Sequence, residues 1–139
     1  MELLNLVLLN PDYELDSFVH DFTDIYAFAH RTTIYADRRD RAVNWPKRMT
    51  GLTTLGQNVR SIIDPRTGRP FDIDIVDTSD LQLNIGWQSH AFFNVNRSMV
   101  DDLASLIVEN KAASERRERL RRIGGVYRFS LLPKGVVEV

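Results

Sequence analysis

The chain has no cysteine among its 139 residues, which excludes disulfides, thiol nucleophiles and thiolate metal sites. The same absence fits a reducing, cytoplasmic setting. Net charge is nearly absent as well. Eighteen Lys and Arg oppose 19 Asp and Glu to leave -1, so there is no global attraction for nucleic acid or an anionic membrane. No apolar run approaches the ~20 residues that a membrane-spanning helix needs. The apolar opening, residues 1–9, also lacks a basic flank, and it reads as a buried strand rather than a targeting segment. Two catalytic signatures are missing too. Gly51 to Gly56 (GLTTLG) lacks the Lys-Ser/Thr ending of a phosphate loop. None of the eight serines lies in a G-x-S-x-G elbow, the strand-to-helix turn that presents a serine nucleophile.

What remains is ordinary for a folded protein, at 43% hydrophobic and 27% charged. The length fits one domain or part of a larger one. Charge is placed unevenly, with six basic and two acidic residues between 111 and 122. No aromatics alternate with those arginines, so the stretch reads as a solvated basic helix end and not a nucleic-acid groove. Docking of an acidic partner is the sharper alternative for it.

Along the chain, residues 3–9 form a near-continuous apolar run ended by Asn10-Pro11-Asp12, as expected of a strand covered on both faces. Asp16 or Ser17 is placed to cap a helix with Phe18, Phe22, Ile25, Tyr26 and Ala29 at helical spacing. His30 and Arg31 would close that helix, and residues 32–36 supply a second strand. Residues 37–70 are irregular, with a short helix over 41–49 interrupted by Pro46 and a turn at 64–68. A third strand, 71–76, and a polar loop, 77–88, lead to His90. The third helix starts near Asn96 or Ser98, with Val100, Leu103, Ala104, Ile107 and Val108 as its buried stripe. It continues through Glu115/Arg119 and Glu118/Arg122 pairs until Gly124-Gly125, and VYRFSLL ends as a strand or a docked peptide. The division is 1–110 for the sheet domain and 111–139 for a basic helix extension and tail. Strand-helix-strand alternation predicts an α/β fold with a parallel sheet and flanking helices.

In such sheets functional groups collect beyond the C-terminal ends of the strands. An Asp after one strand and a His after the next follow the chain order of the α/β-hydrolase triad. There the His takes the serine proton and the carboxylate fixes its tautomer. The blander fates are an aspartate paired with neighbouring arginines and a loop histidine bonded to backbone. The acidic residues Asp72, Asp74, Asp77 and Asp80 lack the glycine and terminal glutamate of a calcium loop, so no metal and no cofactor is expected. His20 and His30 read as structural or solvated.

The segments LVLLNPDYELDSF, TTIYADRRDRAV and IDIVDTSD followed by SHAFF resemble the C-terminal part of the bacterial "alpha/beta hydrolase of unknown function" family. That family's pattern runs as a strand ending in APD, then YASSNDRAL, DTSD and GHSYF. The resemblance covers about three quarters of the chain, from about Leu4 to Leu106. It implies the C-terminal half of an α/β-hydrolase sheet, with Asp40 as triad acid, His90 as triad base and Asp12 lining the site. The chain departs from the pattern in reading ADRRD for ASSND, which adds Asp37 as a second candidate acid, and Gln88-Ser89 where a glycine precedes the histidine. The family's serine elbow lies upstream of the matched part. The resemblance therefore implies a fragment, split product or degenerate remnant that is inactive alone. Its partner would be an N-terminal hydrolase half or another protein subunit. The alternative is a non-catalytic module docking on another subunit.

Overall fold

The computed structural model describes residues 3–38, 53–83 and 97–130. Within them, β1 (Leu3–Leu9), β2 (Ala29–Ala36) and β3 (Ile73–Asp77) lie side by side and parallel. A hairpin of β4 (Leu120–Ile123) and β5 (Val126–Phe129) completes the sheet, β5 parallel to β3 and β4 antiparallel at the far edge. The strand order is β1-β2-β3-β5-β4. Helix α1 (Leu15–Ile25) covers one sheet face. Helix α3 (Arg97–Ile107) covers the other, and the short α2 (Ser79–Leu83) follows β3. The fold is α/β, as the alternation of elements predicts, but the sheet is mixed and not wholly parallel, because the hairpin returns β4 antiparallel to β5. Among the described residues no helix is long and apolar enough to cross a membrane.

Helix α1 is capped by Glu14, not by Asp16 or Ser17. The Glu14 carboxylate accepts from the backbone N–H of both residues, at 2.9 Å each, and from the Ser17 hydroxyl. The Ser17 hydroxyl and then the two backbone bonds hold the Glu14 carboxyl below its ordinary range. Phe18 and Phe22 stack at 4.8 Å, and Phe22 meets Phe71 edge-on at 5.4 Å. The helix gives way to a 3-10 turn over Tyr26–Phe28. Ala29, His30 and Arg31 therefore belong to β2 and not to the helix. The turn expected at 64–68 is present. Asp64 accepts from the Thr67 and Gly68 N–H groups, and its carboxylate grips Arg66. Gly68 takes φ 70 there, a conformation that costs glycine nothing.

Two larger corrections concern the last third of the chain. The buried face of α3 is Met99, Asp102, Ser105 and Leu106, whereas Val100, Ile107 and Val108 are exposed. The apolar stripe loses because Asp102 and Ser105 are drawn inward by arginines far along the chain. The helix does not run on through 111–122. It ends at Ile107, Asn110 turns the chain at φ 54, and a 3-10 turn over Ala113–Glu115 leads into the hairpin. Gly124 and Gly125, at φ 59 and 85, form a two-residue hairpin turn of the kind that needs positive φ at both central positions. They do not stop a helix. The VYRF segment is the strand β5, paired with β3 and β4.

The arginines assigned to a solvated face include Arg116, which is fully buried. Its Nε donates to Asp102 Oδ1 at 2.8 Å, and its Nη1 donates to the Lys111 carbonyl at 2.7 Å. Tyr35 on β2 donates its hydroxyl to Asp102 Oδ2 at 2.7 Å, and Arg119 reaches Asp102 at 3.4 Å and Ser105 at 2.5 Å. This cluster ties α3 and the turn before β4 to the centre of the sheet.

Burial and then the Asp102 charge push the Tyr35 phenol well above its ordinary value. A raised folded-state value means stability that is whole below the ordinary phenol pKa of about 10 and is lost as pH rises above it. Denaturation midpoints should fall steeply above that pH, by up to about 1.4 kcal/mol per pH unit for one such group. In Tyr35→Phe the alkaline limb should be shallower, at the cost of lower stability at neutral pH. An unchanged limb would contradict the buried-phenol account.

Candidate functional site

The C-terminal ends of β1, β2 and β3 converge on one rim of the sheet, and a single glycine joins two of them. After β1, Asn10 adopts φ 42, which Asn tolerates, and donates its N–H to the Tyr35 carbonyl at 2.9 Å. Residues 53–57 then cross this rim. Leu15 donates to Thr53 O, Leu55 to Tyr13 O and Gly56 to Pro11 O, while the Gly56 carbonyl accepts from Asp37 N–H at 2.8 Å. A Cβ on Gly56 would lie 2.8 Å from both the Asn10 carbon and the Pro11 oxygen, each of them backbone. Only glycine permits that approach. Gly56→Ala should therefore cost about 1–3 kcal/mol of stability by overpacking, read as a lower urea midpoint. A midpoint equal to that of the parent would contradict the packed rim.

The end of β2 is locked to the end of β3 by the DTSD segment. Thr78 donates both its N–H and its hydroxyl to the Ala36 carbonyl, at 2.8 and 3.0 Å, and Arg38 N–H donates to Ser79 Oγ at 3.2 Å. Asp77 accepts from Ser79 N–H at 2.9 Å, the backbone-directed bond expected of an aspartate at a helix start. Asp80 accepts from Arg128 of β5 at 2.6 Å. Asp74 accepts from Ala113 N–H at 3.0 Å. Asp74, Asp77 and Asp80 are thus spent on local bonds and on anchoring the hairpin. Among the described residues no group of three or more acidic or histidine side chains is arranged to hold a metal.

Of the residues named from sequence, Asp12 sits exposed on the loop beyond β1, at this rim. Asp37 is fully buried at the end of β2. Asp40 and His90 lie outside the described residues, as does the expected helix over 41–49. The described structure does fix where the two flanking segments depart. Ala36 and Asp77 are register partners on adjacent parallel strands; the segment carrying Asp40 follows the β2 end directly, and the one carrying His90 departs after α2, beyond Leu83. Sequence reading missed Gly56, which looks like part of a nondescript GLTTLG run. It also missed Thr78, whose role shows only once β2 and β3 are adjacent.

A cavity of about 510 Å³ lies at the opposite end of the sheet, lined by Ser61, Phe71, Asp74, Arg122 and Tyr127 among others. Its charged groups are largely engaged. Asp74 accepts from Ala113, Arg31 donates to Asn110, and Arg122 lies 5.9 Å from the centre of the Tyr127 ring. It opens at strand N-termini, the end that α/β sheets do not ordinarily use for chemistry. Comparisons of the chain with protein-family models, curated proteins and solved structures found no match.

Proposed function

We propose that the chain is the C-terminal portion of a serine-type α/β hydrolase acting on an ester or similar acyl bond. In this reading it supplies the triad acid Asp40 and the base His90. One observation carries the proposal: β2 and β3 are adjacent, parallel and in register, so both strands run out onto one rim, with the Asp40 segment following β2 directly and the His90 segment following β3 through α2. A triad needs this arrangement, because the carboxylate must reach the far ring nitrogen of the base. The buried Asp37 at the same rim is the alternative acid. Within the described residues, the segments resembling the hydrolase family fall on β1 and the start of α1, on β2, and on β3 and the start of α2.

No serine elbow occurs in this chain, so the nucleophile and oxyanion hole come from another polypeptide segment. By itself the chain should not react with a fluorophosphonate probe. Joined with the nucleophile-bearing segment, it should give one labelled serine. Absence of labelling in the joined protein would remove the enzymatic reading. The exposed apolar faces of β1 and α3 would then favour the second reading, a non-catalytic module docked on another subunit.

A further inference from the structure

We propose that the chain by itself pairs with a second copy through the free edge of β1, making one sheet continuous across a two-fold axis. This goes beyond the catalytic reading and does not depend on it. The two sheet edges are built differently. The β4 edge carries exposed Arg121 and Arg122, charges of the kind that keep edges from pairing. The β1 edge, LLNLVLL, has no charge, proline or glycine. Among the described residues β1 pairs only with β2.

The phase of β1 decides which groups face outward. Asn10 N–H donates toward β2, to Tyr35 O, and successive residues of a parallel strand alternate sides. The even-numbered residues therefore bond β2, and Leu3, Asn5, Val7 and Leu9 turn their N–H and C=O groups to the open side. Those positions are symmetric about Leu6. An antiparallel second copy matches Leu3 with Leu9 and Asn5 with Val7 as hydrogen-bonded pairs, and sets Leu6 opposite itself as a non-hydrogen-bonded pair. Every outward backbone group in the strand finds a partner, and no like charges meet.

Helix α3 extends the same surface. Its Asp102 and Ser105 flank is taken by Arg116 and Arg119. Val100, Ala104 and Ile107 lie round the helix on the other flank, beyond Leu103, which packs with Val7 of β1 against one cluster. Val100 and Ile107 are 43% and 56% exposed, and Leu3 and Leu9 are 42% and 40% exposed on the same sheet face. In the symmetric pair the two α3 stripes face each other across the axis. These four side chains form an apolar patch of roughly 300 Å² per copy, the scale of the largest patch on a typical monomer. Pairing of the strand backbones adds to it, toward the ~800 Å² each partner buries in a standard interface.

Sedimentation over a wide micromolar range should give twice the 16.0 kDa chain mass. Leu6→Cys, in a chain otherwise free of cysteine, should oxidise to a linked dimer, because a non-hydrogen-bonded pair sets Cα atoms ~4.5 Å apart, within disulfide reach. Leu4→Cys should not, since its mate in this register is Leu8. Leu9→Lys combined with Ile107→Lys changes two exposed positions, so the circular dichroism should be kept while association weakens by roughly tenfold or more. A monomer at every concentration would overturn the proposal. So would a dimer that survives the lysine variant, or one that crosslinks equally through Leu4→Cys. None of these outcomes bears on probe labelling, which reads the joined protein.

Discussion

Asp102→Ala is expected to cost about 3–5 kcal/mol of folding stability, because removing one member of a buried ion pair leaves the other charge uncompensated. A domain of this size has only about 5–15 kcal/mol in total, so the variant should be largely unfolded at moderate urea. The residue stranded is Arg116, fully buried and dependent on Asp102 for its side-chain ion pair. Tyr35 would lose its hydroxyl acceptor and Arg119 one of its partners at the same time. Arg116 is itself imperfectly satisfied, since Nη2 has no hydrogen bond among the described residues. A joint replacement, Asp102→Leu with Arg116→Met, should therefore recover most of the loss, as apolar substitutes for a buried pair commonly do. Urea denaturation followed by circular dichroism checks both statements. A single-variant cost below about 1 kcal/mol, the range of exposed pairs, would mean that the cluster does not hold α3 and the hairpin to the sheet.

His90→Ala should have the largest effect of all on the joined enzyme, a fall in turnover on the order of 10⁶-fold, while Asp40→Asn should cost on the order of 10⁴-fold. The asymmetry follows from their roles. The base moves a proton in the reaction itself, and the acid orients the imidazole and stabilises its charged form. Asp37→Asn separates the two candidate acids. Asp37 is buried at the strand end, with its backbone bound to Gly56. Its replacement should lower stability more than turnover if Asp40 is the acid, and the reverse would reassign the role to Asp37. Steady-state kinetics with an ester substrate, read beside the urea midpoint of each variant, distinguishes these outcomes.

The strands were the most legible part of the fold, because apolar runs such as Leu3–Leu9 and β-branched runs such as the TTIY of β2 need no distant partner to be read. The α/β class followed from their alternation with helices. What could not be read locally was the fate of charged residues. Asp102 looks like an ordinary acid near a helix start, and Arg116 is one of five arginines in seven positions. Nothing in that neighbourhood marks the one that becomes fully buried. Their pairing across 14 residues pulled one flank of α3 inward and left Val100 and Ile107 outside. The hairpin, by contrast, had a signal that helical periodicity masked. Gly-Gly between LRRI and VYRF is a hairpin turn by composition. For the rim, the DTSD segment was legible as the start of a polar loop, but its grip on Ala36 depends on β2 and β3 being neighbours.

The most direct measurement is a one-dimensional proton NMR spectrum of this chain in water, searched at low field for an imidazole N–H held by a carboxylate. If Asp40 orients His90, one slowly exchanging low-field resonance should appear. It should vanish in His90→Gln and in Asp40→Asn, and persist in Asp37→Asn. A spectrum without such a resonance, or one whose resonance survives Asp40→Asn and Asp37→Asn alike, would contradict the pairing of acid and base on which the hydrolase reading rests.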